Sequence, residues 1–234
     1  EWRDTAQKTE AQRIVRRATE FNSDRAQQGD RRGSSAELIG RGQADDLIAA
    51  VARASTRAKR EQAADDWVKA RGKATGVEHA VFMDDDGRPV AVFQGGRSSV
   101  GFPDHVLRAM ASGDTIASGT HNHPSDRGLS VQDVAILTTG LPRITAMGHN
   151  GAIAKASRGP AMKGVVVEIG TKDFEKIVEE LDAAAGPIKE TLQLMVNDGE
   201  ITVATAKQSH GHLHNMVLEA NGIIDLDGNG RQIV

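Results

Sequence analysis

The residues most able to do chemistry lie between His121 and Asp133, in a segment that reads HNHPSDRGLSVQD. If residues 115–121 form a β-strand, the side chains of His121 and His123 leave the backbone on the same side and can bind one ion together. Ser130 fits the N-cap of a following helix, and the carboxylate of Asp133 projects back toward the start of that helix. Two imidazoles and one carboxylate around one point, with a fourth position for water, form a recurrent ligand set for catalytic zinc.

A purely structural interpretation of the same residues stays open at the level of sequence. Ser130-x-x-Asp133 also satisfies the capping box that begins many helices, and a His-x-His pair occurs by chance in many chains. Asn122 points away from both neighbouring histidines and is interpreted as structural. The two halves of the pattern occur together, directly after a predicted strand, and this combination favours a metal site.

A second group of histidines, His210, His212 and His214, is an alternative candidate for binding a metal. On a helix His210 and His214 would share a face at i, i+4 and could bind a metal, but no carboxylate follows at a fixed spacing. We therefore interpret Ser209–His214 as the polar start of a helix. The acidic run Asp84–Asp86 is typical of a turn rather than of a site.

Composition limits the classes of protein that remain. The chain of 234 residues fits one domain with appendages. It contains no cysteine, so disulfides and cysteine zinc sites are excluded, and any metal must be bound by histidine and carboxylate. The 29 Lys and Arg residues against 32 Asp and Glu residues give a net charge of −3, which argues against nucleic acid as a partner. No apolar run suits a membrane span and no signal-peptide pattern opens the chain; we expect a protein that is cytoplasmic or delivered by secretion.

Three segments are expected to position these residues. Residues 1–72 carry apolar side chains at helical spacing and predict amphipathic helices. Residues 73–159 predict strands and helices in the order β-β-α-β-α-β-β, which indicates an α/β domain with a mixed sheet flanked by helices. Residues 160–234 predict a C-terminal α+β extension, with a strand at Val165–Ile169 followed by three helices, the last around Leu213–Ala220.

The residue pattern of the central segment resembles the motif of a known family. HNHPS at residues 121–125, followed by S-x-x-D at residues 130–133, is similar to the metal motif of the JAMM (MPN+) zinc metalloproteases, closest to the RadC-like branch. Residues 78–87 resemble the strand that carries the catalytic glutamate of that family. The resemblance covers about residues 77–156 and implies a JAMM-like fold, related to that of cytidine deaminases. The loop inside the motif is one residue shorter than is usual, and Asp126 replaces a glycine common in the RadC-like branch.

The resemblance also implies roles for individual residues. His121, His123 and Asp133 would bind one zinc ion per chain. Glu78 would be the general acid/base, and the Ser130 hydroxyl would hydrogen-bond the oxyanion formed from an amide carbonyl. Zinc lowers the pKa of a bound water to about 7, so the implied activity is hydrolysis of peptide or isopeptide bonds in a protein or peptide substrate.

Two other functions stay open beside an active peptidase. A JAMM-like scaffold would bind partners without catalysis, but it has no need of all four site residues together. A RadC-like role with DNA is disfavoured by the balanced charge and the aromatic content of 3%. Since the sequence begins with Glu1 rather than Met, we expect a module of a larger bacterial or prophage protein, such as a toxin. Its partners would then include the rest of that polypeptide or an inhibitor protein.

The scarcity of aromatic residues also bears on the substrate. Deep pockets that recognise side chains are usually lined by apolar and aromatic groups, and this chain has five Phe, two Trp and no Tyr. We therefore expect backbone pairing with an extended substrate, along an exposed strand at Pro89–Phe93 or the loop at Gln94–Gly101.

Overall fold

A computed structural model describes residues 37–38, 44–97, 106, 116–124, 128–167, 169 and 171–226. The chain falls into two compact units, with the boundary between Pro124 and Ser125. Helices and strands occur in both units, and the predicted α/β class is confirmed. The three-part division predicted above follows composition rather than contacts and stays a prediction. The helices predicted within residues 1–36, and most of the first helix predicted in the central segment, lie outside the described residues.

The described part of the first unit contains two helices and four strands: β1 (Glu37–Leu38), α1 (Asp45–Arg53), α2 (Arg57–Thr75), β2 (His79–Met83), β3 (Pro89–Gln94) and β4 (Ser118–His123). The strands lie in the order β1-β3-β2-β4. Each neighbouring pair is antiparallel, and the register places Ala80 of β2 opposite His121 of β4. All five residues of β2 are buried, as expected of a strand with neighbours on both sides and both faces covered.

Helix α2 begins and ends at the residue types that favour helix termini. The Thr56 hydroxyl accepts the N–H of Lys59 at the start, and Gly76 follows the end with a φ of 70°, a left-handed conformation that glycine adopts without strain. Its buried face includes Trp67, whose Nε1 donates a 2.8 Å hydrogen bond to Oδ1 of Asp46 in α1. This bond ties the two helices together.

The strands of the first unit present two faces that differ in what covers them. The face that carries His79 and Asn122, called here the back face, packs against α2, and the rings of Trp67 and His79 meet edge to face with centroids 5.8 Å apart. Ala80 and His121 are paired neighbours and lie on the opposite face, called here the front face, because side chains alternate along a strand. The two histidines of the motif therefore project from the face that α2 does not cover.

Gly119 in β4 leaves room for a core aromatic ring. A Cβ at this position would lie 2.8 Å from Cε1 of Phe82, and Phe82 is itself in edge contact with Phe93, with centroids 6.0 Å apart. We expect Gly119→Ala to lower the free energy of unfolding by about 1–3 kcal/mol because the core would be overpacked. Urea unfolding measures this, with Gly186→Ala as the matched control, since a Cβ there meets nothing within 4 Å. Equal stability of the two variants would contradict the packing described.

The described part of the second unit contains four α-helices and three strands: α3 (Val131–Ile136), β5 (Arg143–Gly148), β6 (Ile153–Arg158), α4 (Lys172–Ala184), α5 (Gly186–Asn197), α6 (Val203–Ala220) and β7 (Ile224–Leu226). It also contains two short 3-10 helices, at Leu137–Thr139 and Pro160–Met162. The strands lie in the order β5-β6-β7, and both pairs are antiparallel. Helix α6 packs against α4, α5 and β7. The largest fully buried side chains of this unit form its core: Leu129, Leu137, Leu141, Ile144, Met147, Leu218 and Ile224.

The strand predicted at Val165–Ile169 is wrong, because residues 165–167 have no regular secondary structure. The N–H of Val167 donates to the carbonyl of Thr138 at 2.9 Å. The Arg158 guanidinium donates to the carbonyl oxygens of Met162 and Val165. β-Branched residues favour strands only where a neighbouring strand is available to pair with them, and here the backbone is bonded to other groups.

The last helix is longer than predicted. The sequence pattern placed it around Leu213–Ala220, whereas α6 begins at Val203. The hydroxyl of Thr202 accepts the N–H of Thr205 and caps this earlier start. His210, His212 and His214 therefore lie inside the helix, and the prediction that they begin it is wrong.

In the described part of the chain, none of the helices combines the length and the apolar character that crossing a bilayer requires.

Candidate metal centre

His121 and His123 converge on one point at the end of β4. They are 2% and 8% exposed, and their Nε2 atoms lie 2.8 Å apart, so one ring donates a hydrogen bond to the other. In a tetrahedral zinc site with Zn–N bonds of about 2.0–2.1 Å, two imidazole nitrogens lie about 3.3 Å apart. A separation of the two rings by about half an ångström would therefore admit an ion between them.

Asp133 completes a buried group of three possible metal ligands. It is the third residue of α3, and ligand atoms from His121, His123 and Asp133 all lie within 4.8 Å of one another. Two nitrogen donors and one carboxylate oxygen suit zinc in catalytic sites, where a fourth position is kept for water or substrate. The triad can therefore hold a metal ion, as its spacing in the sequence predicted.

The capping interpretation of the same segment is confirmed. The hydroxyl of Ser130 accepts the N–H of Asp133 at 3.1 Å, and Oδ2 of Asp133 accepts the N–H of Ser130 at 2.7 Å. The two interpretations are compatible, because a carboxylate has two oxygens with about four acceptor sites. The cap orients the Asp133 carboxylate, as outer hydrogen bonds commonly orient metal ligands.

Glu78 is 6% exposed and immediately precedes β2. Its N–H donates to the carbonyl of Gly96 and its carbonyl accepts the N–H of Gly95, both at 2.8 Å. The pairing of β2 with β4 ends at Ala80, which lies opposite His121. If the same register continued by two residues, Glu78 would face His123. Directly opposite residues have Cβ atoms about 4.5–5.5 Å apart. The structure therefore buries Glu78 two residues from the paired end of β2, and both its position beside the possible ligands and its catalytic role stay predictions.

Asn122 has the structural role that its orientation predicted. Its Oδ1 accepts the N–H of His79 at 2.7 Å, and its Nδ2 donates to the carbonyl of Val77 at 3.2 Å. These two bonds tie the end of β4 to the residues on both sides of Glu78. The spacing between the ligand strand and Glu78 is thereby fixed from the back face.

His79 is 1% exposed, beneath Trp67 of α2. Burial lowers the pKa of His79, and its hydrogen bond to the carbonyl of Val77, 3.2 Å from Nδ1, opposes that effect. A neutral ring with its proton on Nδ1 satisfies both conditions. His79 therefore belongs to the support of Glu78 rather than to the ligand set.

The second histidine group serves the packing of α6. His214 is 2% exposed, and its Nε2 donates to the carbonyl of Leu181 in the last turn of α4 at 2.9 Å, where helix carbonyls lack partners within the helix. Burial lowers the pKa of His214. Within the described ranges, the group at residues 121–133 is the only set of three side chains that could hold a metal.

The strand predicted to be an exposed edge for substrate is buried. Residues Pro89–Phe93 are all buried in β3, which pairs with β2 on one side and, at Phe93 and Gln94, with β1 on the other. The expectation of an exposed strand is therefore wrong, because the chain's own Glu37–Leu38 occupies part of that edge. Residues 98–101 of the alternative loop lie outside the described part of the chain.

Comparisons with protein-family models, with curated proteins and with solved structures find no match to this chain. The geometry of the site and the residue pattern of its motif are therefore the observations from which a function is inferred.

Proposed function

We propose that this chain is a JAMM-type zinc metallopeptidase that hydrolyses peptide or isopeptide bonds. The observation that carries the proposal is the buried convergence of His121, His123 and Asp133. The nitrogen and oxygen donors fit zinc, at about one ion per chain. Glu78 is buried and precedes the strand that pairs with β4, and this supports its assignment as the general base.

The residues around the ligands have distinct roles in the proposed reaction. Zinc bound here would supply a water with a pKa near 7 and polarise the substrate carbonyl. Glu78 would accept a proton from that water and return it to the leaving amine. The Ser130 hydroxyl accepts the N–H of Asp133 and keeps its own proton, which it would donate to the carbonyl oxygen as negative charge develops there.

The position of Glu78 favours an enzyme over a non-catalytic JAMM-like scaffold. A carboxylate that is 6% exposed is costly to bury, and a scaffold that only binds partners has no need of it. The same proposal has three further parts. The substrate is a protein or peptide. The chain is a module of a larger bacterial or prophage protein with a toxin activity, and an inhibitor protein is a partner. The balanced charge gives no support to a role with DNA.

A panel of unstructured peptides and isopeptide-linked conjugates tests this proposal. We expect the zinc-loaded chain to cleave at least one amide substrate, and a chelator or Glu78→Gln to abolish the cleavage. Single-stranded and duplex DNA in the same panel serve as controls. Cleavage of nucleic acid alone, with no amide hydrolysed, would rule out the peptidase.

A further inference from the structure

The loop that leads to Asp133 packs closely against helix α6. A Cβ on Gly128 would lie 3.1 Å from Nδ2 of Asn215 and 3.9 Å from the backbone carbon of Gly211. A Cβ on Gly211 would in turn lie 3.7 Å from the backbone nitrogen of Gly128. Gly211 and Asn215 are one turn apart and share a face of α6. The two glycines allow the loop and the helix to approach at Asn215.

Asn215 is an unusual residue for the buried face of a helix. It is 3% exposed, and its Oδ1 has no hydrogen-bond partner within the described part of the chain. Burying an amide oxygen without a partner is unfavourable compared with burying an apolar side chain of similar size. Helix α6 is already anchored by His214, bonded to Leu181, and by the buried Leu218. Packing of α6 alone therefore does not explain an asparagine at this position.

The closeness of Asn215 to Gly128 connects Asn215 to Asp133, one of the three possible metal ligands. Leu129 follows Gly128 and is 1% exposed, which leaves the chain little freedom between Gly128 and Ser130. The N–H of Ser130 holds Oδ2 of Asp133 at 2.7 Å. A shift of Gly128 would move that N–H and, with it, the orientation of the carboxylate.

We propose that Asn215 is a positioning residue, through which α6 fixes the loop that orients Asp133. The inference rests on the metal centre of the proposed function but not on the peptidase reaction. In this proposal helix α6, in the C-terminal segment, contributes to the geometry of the metal centre, although the motif resemblance ends near residue 156.

Zinc affinity of the full chain tests this role, measured by competition with a chromophoric chelator for the wild type, Gly128→Ala, Asn215→Ala and the double variant. We expect each single substitution to weaken zinc binding by about 10–100-fold, as loss of ligand-orienting contacts commonly does. The double variant should bind within a few-fold of Asn215→Ala, because alanine at 215 removes the atom that the new Cβ at 128 would meet.

Matched controls separate positioning from general damage. Gly186→Ala meets nothing within 4 Å, and Asn197→Ala removes an exposed amide; both should keep wild-type zinc affinity. The visible spectrum of the cobalt-substituted protein should change in the two single variants, since it reports ligand geometry. If the metal-free Asn215→Ala protein has a lowered Tm, the smaller change Asn215→Ser is tested in its place.

Three results would overturn the inference. The first is wild-type affinity in both single variants, and the second is a double variant whose loss equals the product of the two single losses. The third is a wild-type chain that binds no zinc, which also removes the proposed metal centre. A chain that binds zinc with the predicted coupling but hydrolyses no amide would support the role of Asn215 and contradict the peptidase alone.

Discussion

Glu78→Gln is expected to lower kcat for amide hydrolysis by about 10²–10⁴-fold, the usual contribution of a general acid or base. Zinc content and the midpoint of thermal unfolding should stay near those of the wild type, because glutamine keeps the size of the side chain and Glu78 is not one of the three ligands. Steady-state kinetics on a cleaved peptide, with metal analysis of the same preparation, measure both quantities.

Glu179→Gln is the control for this experiment, because Glu179 is an exposed residue of α4. It should leave kcat unchanged. Full activity in the Glu78→Gln protein would assign the proton transfers to another carboxylate. A loss of zinc together with activity would instead make Glu78 part of the ligand set.

His121→Ala and His123→Ala are each expected to reduce bound zinc from about one equivalent to none that is detectable, since two protein ligands remain where catalytic zinc sites have three. Hydrolysis should disappear with the metal. Metal analysis after gel filtration measures the first effect and a peptide assay the second.

His212→Ala removes an imidazole from α6 and should keep both zinc and activity. If that variant lost its zinc while His121→Ala kept it, the metal centre would lie at the C-terminal histidines instead of in the segment 121–133.

Local signals in the sequence were sufficient for much of the fold. Thr56 and Gly76 mark the ends of α2, and the turn between β5 and β6 follows the Asn150-Gly151 pair, with Gly151 at a φ of 100°. Thr202 offered a similar signal for the start of α6, but no large apolar residue lies between Val203 and Leu213 to mark the first turns of the helix. The Val165–Ile169 prediction failed for a different reason, since strand pairing depends on residues far away in the chain.

The convergence of the three possible metal ligands could be predicted because they lie within one segment of thirteen residues, His121–Asp133. Strand alternation and helix capping fix its geometry over that short distance. The support of the site could not be predicted in the same way. Trp67 packs on His79, and Asn215 lies near Gly128, only after distant segments have packed. No spacing rule connects such residues.

The zinc content of the wild-type chain, purified without added metal and analysed by mass spectrometry of the elements, tests the central claim most directly. The convergence of His121, His123 and Asp133 predicts about one zinc ion per chain, as in other sites with three protein ligands. A chain that contains no metal and takes up no zinc on titration would contradict the account.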